Sequence, residues 1–156
     1  MILVLVQVLV LNNINFLGYI NPYAYIIFII LFPVKNNRTL FIFLSFLLGL
    51  CVDLFSDSGG VNAGACVFIA FIRPPVLKFS FGMIYEHQTV KFAQTELGNR
   101  LIYFAILIVI HHFVMFSLEI FNMSDIILIL QKTLFSSIFT ILLCLLITVL
   151  FSKKPR

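Results

Sequence analysis

Four long apolar stretches dominate the chain, at 39–55, 61–77, 101–121 and 126–151, and each contains a single formally charged side chain: Asp53, Arg73, Glu119 and Lys132 in turn. Stretches this long and this poor in charge are bilayer-crossing helices, because about 20 apolar residues at ~1.5 Å of rise each match a hydrocarbon core of roughly 30 Å. Only 10% of the residues are charged and 62% are hydrophobic, where a soluble domain carries about a quarter charged residues. The expectation is an integral membrane protein, with 1–156 forming a single transmembrane domain. No apolar stretch is followed by a small-residue cleavage site and a polar mature region, so no removable signal peptide is read.

Two shorter apolar stretches precede the four. The first, about 2–11, reaches only about 15 Å and does not span the bilayer alone. Either the native chain begins upstream of Met1, or this helix is only partly inserted. The second, about 22–34, is expected to start at Asn21-Pro22, which reads as an N-cap followed by proline at the first helical position. Tyr19, Tyr23 and Tyr25 suit an interfacial aromatic belt. The predicted architecture is therefore an all-α bundle of six transmembrane helices, about 2–11, 22–34, 39–55, 61–77, 101–121 and 126–151. Arg73-Pro74-Pro75 is expected to kink or end the fourth helix. Residues 78–100, with mixed charges and scattered phenylalanines, are expected to rest on the membrane surface as a loop. Placing both termini in the cytoplasm puts Lys35, Arg38, Lys78, Lys91, Arg100, Lys153, Lys154 and Arg156 on the inner side, with no Lys or Arg in the outer loops, as the positive-inside rule requires.

Between the third and fourth helices lies GLCVDLFSDSGGVNAG, from Gly49 to Gly64, an acidic, glycine-rich turn joining two apolar helices. Ser45, Gly49 and Asp53 recur every four residues on one face, and Ala63, Val67 and Ala70 form a slim face opposite, as close packing in a membrane needs. Ser56, Asp57 and Gly60 then lie in the outer turn.

Each intramembrane charge needs a partner or a route to water. The outer ends of three helices bring Asp53, Glu119 and Lys132 to a similar depth. Two readings stand: one polar cluster of these three with His112 on the same face, or separate snorkelling to the interface. Arg73 is expected to snorkel to the cytoplasmic side beside Lys78. His111 and His112, near the middle of the fifth helix, are read as neutral imidazoles bonded within or between helices rather than as a proton relay, because no acidic path crosses the membrane. Cys51, Cys66 and Cys144 fit neither a disulfide framework nor a zinc site and read as small packing residues. No hydrolase, metalloprotease, P-loop or dinucleotide motif occurs. The expectation is a protein that is not an enzyme, with no catalytic, metal or cofactor site and no nucleic-acid partner.

These residues resemble the MreD family, the rod shape-determining membrane proteins of bacterial elongation complexes. The resemblance rests on Leu17 to Pro22 and on a G-L-x-x-D-L-x-S-x-x-x-G signature, here Gly49, Leu50, Asp53, Leu54, Ser56 and Gly60, followed by Ala63, Ala65 and Arg73-Pro74. Asp57 and Ser58 stand where glycine or threonine is more usual, and the first helix is short. The resemblance implies a non-catalytic scaffold in the bacterial cytoplasmic membrane, with a fold similar to the substrate-binding subunits of energy-coupling-factor transporters. It also implies binding to MreC, a single-span protein, and indirect coupling to MreB, RodA and a class B penicillin-binding protein. Gly49, Asp53, Ser56, Asp57, Gly60, Ala63, Arg73 and Pro74 are the implied structural or partner-contact residues. The alternative implied by the shared architecture is a substrate-binding subunit of a vitamin-type transporter, with Asp53, Glu119 and Lys132 holding the solute.

Overall fold

The computed structural model describes residues 2–11, 21–33, 37–82, 95–121 and 125–150. Within them the chain is all helical: α1 (Ile2–Leu9), α2 (Ile26–Leu31), α3 (Arg38–Ser56), α4 (Val61–Phe81), α5 (Leu97–Ile120) and α6 (Ile126–Leu150). Four of these, α3 to α6, are long and apolar enough to cross a membrane. Helices α3, α4, α5 and α6 pack consecutively, α1 leans on α3, and α2 lies against α4 and α5.

Helix α6 shows why such a fold belongs in lipid. Its Leu134, Ile138, Leu142 and Leu146 face outward while Ser137, Thr140, Cys144 and Thr148 are buried. A helix with its oily side out and its hydroxyls in inverts the soluble pattern, and in lipid that arrangement leaves only apolar groups against the acyl chains.

The expected second helix over 22–34 is much shorter than predicted. Only Ile26–Leu31 is helical, about 9 Å of rise, and it does not span. Residues 21–25 approach it as irregular backbone, so Pro22 is not at a helix start. Tyr25 is also not in an interfacial belt, for it is fully buried with Ile26, Ile29 and Ile30 in the main core. Tyr19 lies outside the described residues.

Helix α4 runs through Pro74 and Pro75 to Phe81, where the sequence predicts a stop near Leu77. Proline removes one i→i−4 hydrogen bond, and for Pro75 the carbonyl left free is that of Phe71. That carbonyl accepts from Nη2 of Arg38 at 3.3 Å, and the guanidinium lies 5.0 Å from the centre of the Phe71 ring. Helix α5 begins at Leu97, before the predicted 101. The polar segment 78–100 is therefore helical at both edges, and residues 83–94 fall outside the described set.

Candidate functional site

The α3–α4 hairpin is built on one close approach and one buried carboxylate. A Cβ added to Gly49 would lie 2.5 Å from the Cα of Ala63 and 2.6 Å from the carbonyl oxygen of Asn62, so two backbones meet where only glycine fits. One turn further, Asp53 is 4% exposed. Its Oδ1 accepts from the Asn62 N–H (2.9 Å), the Asn62 side-chain amide (2.9 Å) and the Ser58 hydroxyl (2.5 Å), and its Oδ2 accepts from the Ala63 N–H (2.8 Å). The N–H groups at the start of a helix have no partner of their own and carry a partial positive charge. Asp53 thus caps α4 from the preceding helix. Charge-assisted bonds of this kind contribute roughly 1.5–3 kcal/mol each, which offsets a desolvation cost of several kcal/mol without any cation nearby.

The turn between them follows from the same need. Asp57 takes the left-handed conformation (φ 51°) that ends α3, and its N–H bonds the Asp53 carbonyl. Gly60, at φ 95°, opens α4 in a region that β-substituted residues avoid.

Beyond the middle of α4, Arg73 is 3% exposed. Its Nε donates to the Tyr103 hydroxyl (2.8 Å), and its Nη2 donates to the carbonyl oxygens of Ile30 (3.1 Å) and Phe32. The Tyr103 hydroxyl also donates to Ile30 (3.1 Å), and the guanidinium sits 5.0 Å from the Phe41 ring centre. Arg73 is therefore not a snorkelling anchor. It satisfies the carbonyls at the C-terminus of α2, the negative end of a helix buried in protein. The lead-in to α2 is held as well. Gln7 donates to the Pro22 carbonyl (3.0 Å) and accepts from the Ala24 N–H (2.8 Å), and Thr140 accepts from the Tyr23 N–H (3.1 Å).

The two histidines belong to separate networks. Nδ1 of His112 lies 2.8 Å from the Ile108 carbonyl, which only accepts, so Nδ1 carries the proton. Nε2 then faces the Thr140 hydroxyl at 3.5 Å, while Ser137 lies 3.2 Å from Nδ1. Tyr25 donates to Asn62 Oδ1 at 2.7 Å, so its oxygen accepts from His111 Nε2 at 3.2 Å. Donors thus run from His111 through Tyr25 and Asn62 to the Asp53 carboxylate. Among the described residues Nδ1 of His111 has no partner, and the chain stops there rather than crossing the bundle.

Lys132 and Glu119 form an ion pair at 3.2 Å, with the side chains 20% and 46% exposed. The expected cluster of Asp53, Glu119, Lys132 and His112 is therefore not one group. Asp53 is spent on α4, His112 faces α6, and only the Glu119–Lys132 pair forms directly. Beside Glu119 opens a cavity of about 400 Å³, lined by the polar Glu119, Ser56, Ser58, Asn62, Tyr23 and Asn21 and the apolar Val8, Val52, Phe55, Val61 and Met115.

Of the residues singled out from sequence, the structure brings Gly49, Asp53 and Ala63 into one contact, sets Ser56 in the cavity wall and leaves Asp57 exposed. Pro74 lies inside α4. Cys66 and Cys144 are buried free thiols. Sequence reasoning missed Asn62, Gln7, Tyr103 and Thr140. The signal for Asn62 was present, as an amide just past the turn from an intramembrane acid. Among the described residues no group of His, Cys, Asp and Glu is arranged to hold a metal. No protein-family model, no curated protein and no solved structure matches this chain.

Proposed function

We propose that this chain is a non-catalytic membrane scaffold of a bacterial cell-shape and peptidoglycan elongation machinery, resident in the cytoplasmic membrane with both termini inside. In this reading it binds an MreC-like single-span partner and helps couple MreB filaments to RodA and a class B penicillin-binding protein. The observation that carries the proposal is the α3–α4 hairpin. The residues of its signature, Gly49 and Asp53, serve packing and helix capping and leave the turn from Asp57 to Gly60 at the end of the bundle as a contact surface. The buried Asp53, Arg73 and His112 are all engaged by backbone or side chains of the fold, an arrangement suited to rigidity rather than turnover.

The test is affinity purification of the tagged protein in mild detergent with mass spectrometry of what accompanies it, comparing wild type with Asp53→Ala and Gly60→Leu at matched expression. An MreC-like protein should accompany wild type and be lost from either variant. Recovery without any elongation-complex protein overturns the scaffold.

The cavity favours a second reading, a substrate-binding subunit of a small-molecule transporter, because its volume of about 400 Å³ falls within the roughly 300–1,000 Å³ typical of ligand pockets. Uptake of a solute that depends on this protein would support it.

A further inference from the structure

The cavity beside the α3–α4 turn has the polarity of a specific site rather than of a packing fault. Its lining combines apolar side chains, Val52, Val61 and Met115 among them, with two amides, three hydroxyls and one carboxylate, that of Glu119. Asn62 in that lining is 5% exposed, and its amide is locked in one orientation by Tyr25 on its oxygen and by Asp53 and Ser58 on its nitrogen. A polar group held this firmly at a cavity wall offers fixed geometry to an occupant.

The sign of the field in the cavity follows from the charges around it. Among the described residues no Lys or Arg lines it, and Glu119 is its sole charged lining residue. Among the described residues this end of the bundle carries Asp53, Asp57, Glu119 and Asp125 against the ammonium of Lys132. Helix α3 ends at Ser56 and α5 ends at Ile120, one residue past Glu119, so two helix C-termini, each negative, abut the same space. Helices α4 and α6 begin at this end: the N-terminus of α4 is already capped by Asp53, and that of α6, at Ile126, follows Asp125 and contributes no described residue to the lining. Lys132 engages Glu119 through Oε1 from the α6 side and does not line the cavity.

We infer that this cavity is a binding site for a small organic cation, an amine whose ammonium pairs with Glu119 while its body meets Tyr23 and the apolar lining side chains. The inference deepens the solute-binding reading above and rests on it. It does not depend on capture of any protein partner.

The experiment uses the purified full chain in lipid nanodiscs, with thermal unfolding and titration calorimetry against four probes: putrescine, choline, 1,4-butanediol and succinate. Putrescine or choline should bind and raise the unfolding midpoint, and the neutral diol and the dianion should not. Glu119→Gln, which also takes the counter-charge from Lys132, should lower the ligand-free midpoint slightly and, measured against that new baseline, weaken cation binding about tenfold, the worth of one lost charge-assisted contact. Lys132→Met should strengthen it about threefold by removing the competing ammonium. Equal binding by wild type and Glu119→Gln overturns the cation assignment. Binding of succinate or the diol alone overturns the cation assignment and leaves the solute-binding reading standing, whereas no binding by any probe removes the support of the cavity for both.

Discussion

Two buried charges solve the same problem, one at the start of α4 and one beyond its middle. Asp53 caps the N-terminus of α4 across a short turn, nine and ten residues away in sequence. Arg73 caps the C-terminus of α2, whose carbonyls lie 41 and 43 residues back along the chain. Each matches the sign of the helix end it meets. The difference lies in what stands behind them. Asp53 adjoins a cavity whose wall shares its Ser58 and Asn62 partners, whereas Arg73 is sealed under Phe41 and Tyr103. Local capping beside a polar opening tolerates error, because water can replace a lost partner. Long-range capping in a dry interior does not.

The largest expected effect is at the dry site. Arg73→Met should leave the Phe32 carbonyl without its donor and reduce the Ile30 carbonyl and the Tyr103 hydroxyl to the bond they make with each other, costing about 3 kcal/mol at roughly 1–3 kcal/mol per orphaned buried group. Arg73→Lys should recover only part of this, because a single ammonium cannot serve three acceptors in a fixed fork. The readout is the unfolding midpoint in mild detergent, and an unchanged midpoint for Arg73→Met would remove the cap from the account of α2. Asp53→Asn should cost less, about 2 kcal/mol, since one oxygen still accepts while the amide nitrogen, a donor in place of an acceptor, faces donors beside the polar cavity. If the asparagine variant proves the less stable of the two, the contrast between wet and dry sites is wrong. The smallest effect expected is the coupling between them: in the double variant the two losses should add to within about 0.5 kcal/mol, because the sites share no partner. A larger coupling would mean that α4 transmits strain from one site to the other.

The same contrast explains what was legible in the sequence. Ser45, Gly49 and Asp53 at four-residue spacing and the small residues that follow the turn announce the hairpin, since helix periodicity is a local property. The extents of α3 and α6 were legible for the same reason. The true length of α2 was not. Its limits depend on Gln7, Arg73, Tyr103 and Thr140, none of which is near it in sequence, so a run of apolar residues from 22 to 34 reads as one longer helix. Of the kink or end expected from Pro74-Pro75, the end near Leu77 does not occur, for a related reason, as Arg38 reaches from α3 to a carbonyl that proline leaves bare. Asp53, Glu119 and Lys132 do lie at one end of the bundle, but depth alone could not tell that α4 would claim the first of them.

The short helix α2 has a consequence for how the protein is made. Its backbone is held by side chains from α1, α4, α5 and α6, and in lipid unheld backbone is not tolerated. Residues 21–31 leave the ribosome more than a hundred residues before Thr140 of α6. The second hydrophobic segment must therefore wait, sheltered by the translocon or at the membrane surface, until α6 arrives, and a chain truncated before α6 is a chain in which α2 has nowhere to settle.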